Sequence, residues 1–185
     1  LRARARYFRD GIDAVVSARP KIAPEALSPQ AKTTNYLNMM LAQAEASAGR
    51  PGTWAIQPDK NGNLAEGAGN NVFFVKKGVV HTPTDAYVLP GVSRSVVIEI
   101  CRDLRIPLVE ADVSLHLAMT ADEAFFTSTS LCVCPVRSLN GVAYPADVPG
   151  PVTQRIMEAF RDMAQFDFVA QYVRFVTDAP VRGGI

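Results

Sequence analysis

Cysteine is scarce in these 185 residues, net charge is almost absent, and no long uncharged run occurs. Each shortage excludes something. The three cysteines, Cys101, Cys132 and Cys134, contain no Cys-x-x-Cys pair and are odd in number. That is a poor framework for disulfides or structural zinc, and no metal site is expected. The thiols are expected to be buried and reduced, as in a cytoplasmic protein. Nineteen basic against eighteen acidic residues leave a net charge of +1, so no global field draws the chain to nucleic acid or a membrane surface. The longest run without a charged residue covers the thirteen positions 124–136. A membrane-spanning helix needs about 20, so none is expected. Disorder is excluded by 48% apolar against 20% charged residues. The chain opens on Leu1-Arg2-Ala3-Arg4-Ala5-Arg6, which is not a signal peptide and does not start with Met. An N-terminal portion of a longer protein is expected to be missing.

What is present reads as many short strands and a few longer helices. Residues 1–8 alternate arginine with apolar residues, which predicts a strand with one polar face. Its arginine stripe suits either an anion or water, and the neutral whole favours water. Asp10-Gly11 predicts a hairpin turn into a strand at 12–18. Pro20, Pro24 and Pro29 mark a loop. A helix is predicted over 34–48, with Tyr36, Leu37, Met40, Leu41 and Ala44 at helical spacing. Strands follow at 54–57, 64–66, 72–75 and 79–81, separated by turn-forming residues. A helix at 91–104 has Val92, Val96, Val97, Ile100, Cys101 and Leu104 as its apolar face. A strand at 108–111 and a short helix capped by Ser114 come next. Strands at 123–127 and 131–138 join through Ser128-Thr129-Ser130, and a helix spans 152–163. Residues 177–185 read as a loose tail. The expected fold class is α+β: a mixed, largely antiparallel sheet or pseudo-barrel wrapped by helices, not a doubly wound parallel sheet.

Three places carry residues that folding alone explains poorly. Of the five lysines, Lys21 sits in the proline-rich loop and Lys60, Lys76 and Lys77 in turns. Lys32 alone precedes an uncharged stretch, 33–44. An amine beside apolar surface can become a nucleophile toward a carbonyl; the alternative is a lysine snorkelling from a helix start. Second, Glu66-Gly67-Ala68-Gly69-Asn70-Asn71 offers a carboxylate in a segment that lets backbone approach a ligand, or forms a plain turn. Third, Leu89-Pro90-Gly91-Val92-Ser93-Arg94 opens a helix, whose first N–H groups and the Ser93 hydroxyl form an anion cup unless Ser93 is simply a cap. Thr127-Ser128-Thr129-Ser130 is a further hydroxyl-rich turn. An amine, a carboxylate and anion-binding turns make the inventory of a pyridoxal phosphate site.

These motifs stand in a telling order. Ala31-Lys32-Thr33-Thr34-Asn35-Tyr36-Leu37 comes first, then Leu64-Ala65-Glu66 through Asn71-Val72-Phe73. Leu89 to Arg94 follows, and then Phe125-Phe126-Thr127-Ser128-Thr129 with Pro135-Val136-Arg137. The series resembles the class IV aminotransferases, the fold-type IV pyridoxal phosphate enzymes, over roughly residues 12–163. The resemblance implies that Lys32 covalently carries pyridoxal 5′-phosphate and is the catalytic residue. It implies that Tyr36, Glu66, Leu89, Gly91, Val92, Ser93 and Thr129 contact the cofactor, Glu66 at the ring nitrogen and Leu89 on the ring face. Thr129, Ser130 and Leu131 would face the substrate carboxylate. The implied reaction moves an amino group between an amino acid, of branched-chain or D-amino acid type, and a 2-oxo acid. The family also contains lyases of the aminodeoxychorismate type and (R)-selective amine transaminases. A homodimer is implied. Residues 1–176 would form the large cofactor-binding domain, with the family's small N-terminal domain absent.

Overall fold

The computed structural model describes residues 4–174. The predicted tail at 177–185 and the end of the predicted domain lie outside them. In chain order the elements are α1 (Arg6–Asp10), β1 (Ile12–Val16), α2 (Leu37–Ser47), β2 (Trp54–Pro58), β3 (Leu64–Gly67), β4 (Asn70–Lys76) and β5 (Val79–Thr82). Then follow α3 (Val92–Asp103), β6 (Leu108–Glu110), α4 (Leu115–Met119), β7 (Glu123–Ser128), β8 (Cys132–Leu139), β9 (Val142–Ala143), α5 (Pro151–Ala164) and α6 (Phe168–Val173).

The strands join in the order β3-β2-β1-β8-β7-β4-β5-β6, and β3 also pairs with β4, which closes six of them into a barrel. β9 folds back on β8. β1 runs parallel to both β2 and β8, and β5 parallel to β6. The other pairings are antiparallel. This is the mixed, largely antiparallel pseudo-barrel that the sequence predicts. Closure gives β3, at one end of the strand order, a second neighbour, while β5 and β6 continue the sheet beyond the barrel.

Consecutive buried aromatics hold the barrel. Phe73 and Phe74 of β4 and Phe125 and Phe126 of β7 are fully buried, so both faces of these strands are covered. Phe73 stacks on Phe125 with ring centroids 4.9 Å apart. Val97, Ile100 and Cys101 of α3, and Ile156, Met157 and Phe160 of α5, are buried where these helices pack on each other and on β7. At the ends of α3's predicted face, Val92 and Leu104 are instead exposed.

Two predicted elements fold differently. The expected N-terminal strand is helix α1 over its described part. Ala5 and Phe8, three residues apart, are both buried, and Phe8 stacks on Tyr172 of α6 at 4.8 Å. Tertiary burial of one helical turn overrides the alternating arginines. Gly11, at φ 76°, does not make a hairpin; it ends α1, its N–H donating to the Tyr7 carbonyl. The second case is α2, which starts at Leu37 rather than at 34. Its buried residues are Ala42 and Ala46, which pack on Ala55 of β2, while Leu37, Met40 and Leu41 are exposed. Small alanines let the helix lie close to the strand. Gln43 fastens it there by accepting from the Ala55 amide and donating to the Thr53 carbonyl.

Candidate active site

One cavity of about 250 Å³ opens between loop 17–36, the start of α3 and the barrel strands β3, β4 and β7. The loop brings Lys21, Lys32 and Tyr36 to it; β3 brings Glu66. Leu89, Gly91, Val92 and Ser93 line it from the approach to α3, and Thr127 and Thr129 from the end of β7. Four motifs separated by up to a hundred residues thus face one space. Ser130 and Leu131 stand outside the lining. The Leu131 amide donates to Ser128 Oγ, the Ser130 hydroxyl accepts from Arg4, and the Ser130 carbonyl accepts from Tyr172.

Glu66 is the site's buried carboxylate. It is 3% exposed and held on both oxygens. Oε2 accepts from the Leu89 amide at 2.9 Å and from Asn71 Nδ2 at 3.1 Å. Oε1 accepts from Lys21 Nζ at 2.5 Å. Burial pushes the Glu66 carboxyl up, while Lys21, the Leu89 amide and Arg94 pull it back; the net direction is upward. Asn71 Nδ2 also donates to the Leu89 carbonyl, so one side chain ties the carboxylate to the Leu89 segment.

Lys21 was not singled out by the sequence, which places it in a loop between prolines. In the structure its side chain is buried. Its own amide donates to the Pro58 carbonyl, which draws this part of the loop against β2. The partner carboxylate lies 45 residues away in sequence. The signal that could have found Lys21 is the need of a buried Glu66 for a counter-charge.

Lys32 lies in the turn before α2 and is exposed at the cavity mouth, not set against the face of a helix as expected. Tyr36, 37% exposed, stands beside it. The start of α3 has the features of an anion cup. Gly91 is the N-cap, and no side chain caps the helix, so Ser93 is not the simple cap that was the alternative. A Cβ at Gly91 would collide with Asn71 Oδ1; glycine alone lets the helix end come this close to the barrel. Two buried polar atoms on cavity-lining residues, Asn70 Oδ1 and Thr127 Oγ1, have no hydrogen-bond partner among the described residues. Such atoms are rare in a folded interior and mark a place built for something else.

Fold and site together define an enzyme-like pocket: a barrel with an amine at its mouth, a carboxylate on its floor and an uncapped helix end at its side. The sequence profile described as amino-transferase class IV matches residues 2–139. The branched-chain-amino-acid aminotransferase of Escherichia coli K12 is 39% identical over 159 residues, which are 84% of this chain and 51% of that protein. The crystal structure of the Escherichia coli enzyme superposes with a TM-score of 0.83 at 36% identity, covering 89% of this chain and 55% of the other. The pyridoxal phosphate form of the Thermobaculum terrenum branched-chain aminotransferase gives 0.80 at 29% identity, covering 93% and 57%. The chain spans about half the length of the relatives it matches. It belongs to the class IV aminotransferase family.

Proposed function

We propose that the chain is the cofactor-binding part of a pyridoxal 5′-phosphate-dependent aminotransferase acting on a branched-chain amino acid and a 2-oxo acid. The observation that carries this reading is that Lys32, Glu66 and the open first turn of α3 line the same cavity. The residues present fit the cofactor. The uncapped N–H groups of α3, Ser93 and Thr129 suit its phosphate, Leu89 its ring face, and Glu66 its ring nitrogen. Bound there, the cofactor supplies the electron sink for the pair left at the substrate Cα.

The chain's own residues do the rest. The Lys32 amine would hold the cofactor covalently and, when free, would serve as the base and acid that removes a proton from the substrate Cα and returns it. Its exposed position suits a group that must be reached by substrate. Glu66, fixed on both oxygens, would offer the ring nitrogen a negative charge without having to move. The exposed apolar stripe of Leu37, Met40 and Leu41 on α2 supports a homodimer, and the buried thiols Cys101 and Cys134 a cytoplasmic setting. Residues 4–174 form a single barrel with its helices, which supports reading them as one cofactor-binding domain.

Borohydride trapping followed by peptide mapping tests the assignment. The adduct should fall on Lys32 alone, and Lys32→Ala should remove it together with transamination, while circular dichroism stays unchanged. An adduct on Lys21 or Lys60 would overturn it. Activity measured with leucine, isoleucine and valine against a panel of D-amino acids, with 2-oxoglutarate as acceptor, tests the substrate class.

A further inference from the structure

A buried lysine facing a buried carboxylate on the floor of the cavity calls for a role. We propose that Lys21 is a positioning residue that keeps Glu66 ionised in the cofactor-free protein, so that the carboxylate meets the protonated ring nitrogen of pyridoxal phosphate without first having to shed a proton. The inference rests on the cofactor reading above.

The geometry supports it in three ways. First, both partners are almost entirely out of water, with side-chain exposures of 6% and 5%. An isolated carboxylate in such a place takes up a proton instead of remaining charged. Second, the two oxygens of Glu66 differ. Oε2 already receives two neutral donors, Asn71 Nδ2 and the Leu89 amide. Among the described residues Oε1 receives Lys21 alone, so it is the oxygen with capacity left for a ring N–H. Third, the other cations near this carboxylate are engaged or distant. Arg94 of α3 acts on Glu66 through space, and its guanidinium donates to the Pro83 carbonyl and to Glu110 of β6. Lys32 of the same loop as Lys21 lines the cavity at its exposed mouth and makes no hydrogen bond to Glu66. Tyr36 is the remaining titratable group on that rim. Among the described residues, no carboxylate besides Glu66 lines the cavity.

The proton balance gives the test. With Lys21 present, the cofactor-free floor is an ammonium beside a carboxylate; the cofactor brings its ring N–H already protonated at pH 7, and the floor exchanges no proton. Without the ammonium, the cofactor-free floor is a neutral acid, which must release its proton to solvent before it can accept from the ring N–H. The bound states carry the same proton on the ring nitrogen. Calorimetric titration of the full-length, cofactor-free protein with pyridoxal 5′-phosphate at pH 7, in buffers of different ionisation enthalpy, counts the protons exchanged. Lys21→Met should release about one proton more per cofactor than wild type and Lys21→Arg do. Lys21→Gln, which can still donate a hydrogen bond to Glu66 but carries no charge, should behave like Lys21→Met. It also serves if the methionine variant fails to fold. A merely structural lysine would change affinity or thermal stability and leave the proton count alone. Equal proton counts in wild type and Lys21→Gln, with the borohydride adduct still on Lys32, would overturn this role and leave the proposed function standing. No adduct on Lys32 in the wild-type protein would take both down.

Discussion

Two ion pairs in this protein have the same chemistry and opposite surroundings. Lys21 and Glu66 meet on the cavity floor with side chains 6% and 5% exposed. Arg137 of β8 and Asp13 of β1 meet on the outside of the barrel with side chains 50% and 40% exposed. The outer pair joins two parallel strands that already share a ladder, and water screens it; pairs of this kind are worth about 0 to 1 kcal/mol. The inner pair pulls two ions out of water, and the desolvation cost can exceed the attraction. A barrel that needed only stability would do as well with two apolar residues there. Retaining a charged pair beneath a cavity therefore points to what the cavity holds, whereas the outer pair needs no ligand to account for it.

The largest expected effect comes from breaking the inner pair on its acidic side. Glu66→Gln keeps the size and the contacts to Asn71 and the Leu89 amide but removes the charge. Turnover should fall about a hundredfold or more, equivalent to roughly 2.7 kcal/mol of barrier. The cofactor should still load on Lys32, as borohydride mapping will show. The same change leaves Lys21 buried without its counter-ion, so the cofactor-free protein should lose on the order of 3 kcal/mol in denaturant unfolding. Near-native turnover with bound cofactor would show that another group serves the ring nitrogen.

A smaller effect is expected at the side of the cavity, where the charge to be met belongs to the ligand. Ser93→Ala should weaken cofactor affinity about tenfold, or roughly 1.4 kcal/mol, within the range of one hydrogen bond to a charged group. Fold and unfolding midpoint without cofactor should not change, because no structural cap is lost. Fluorescence titration of wild type, Ser93→Ala and Thr129→Ala with pyridoxal phosphate measures this. Unchanged affinity in both variants would move the phosphate elsewhere.

How much of this was written locally in the chain differs between the same two regions. The strands β2 to β5, β7 and β8 and the helices α3 and α5 follow from residue period and turn chemistry, and the structure shifts their ends by only a few residues. Lys32, Glu66, Leu89 and the Gly91-Val92-Ser93 turn were legible because each stands in a local pattern that plain folding leaves unexplained. Lys21 was not, since its meaning lies in a contact 45 residues away. α1 was misread because three alternating arginines imitate a strand, while the burial of Ala5 and Phe8 that decides the matter involves α6, at the other end of the chain. On α2 the large apolar residues suggested an inner face, but the packing used Ala42 and Ala46. Closure of the barrel was equally hidden: β1 pairs with β2 and β8, neither of them joined to it by a tight turn.

The smallest expected effect belongs to the outer pair. Partial burial pushes the Asp13 carboxyl up, but hydrogen bonds from Arg137 and Ser138, with the Arg137 charge, outweigh it and hold the group below its ordinary value of 3.8. A carboxyl lowered on folding adds stability above its unfolded pKa, and that contribution fades as pH falls through the folded value. Solvent around both side chains limits the amount. Asp13→Asn should therefore cost less than about 1 kcal/mol at pH 7, or under roughly 4 °C in Tm for a chain of this size. Ser138 Oγ, 2.5 Å from Asp13 Oδ1, can still donate to the new amide oxygen. The wild-type and variant stability curves should converge as the pH is lowered below 3.8. Cofactor affinity and turnover should not move, because neither Asp13 nor Arg137 lines the cavity. A loss of several kcal/mol at pH 7, or a change in cofactor binding, would mean that the outer pair is coupled to the cavity floor through β1 and that the contrast between the two pairs is false.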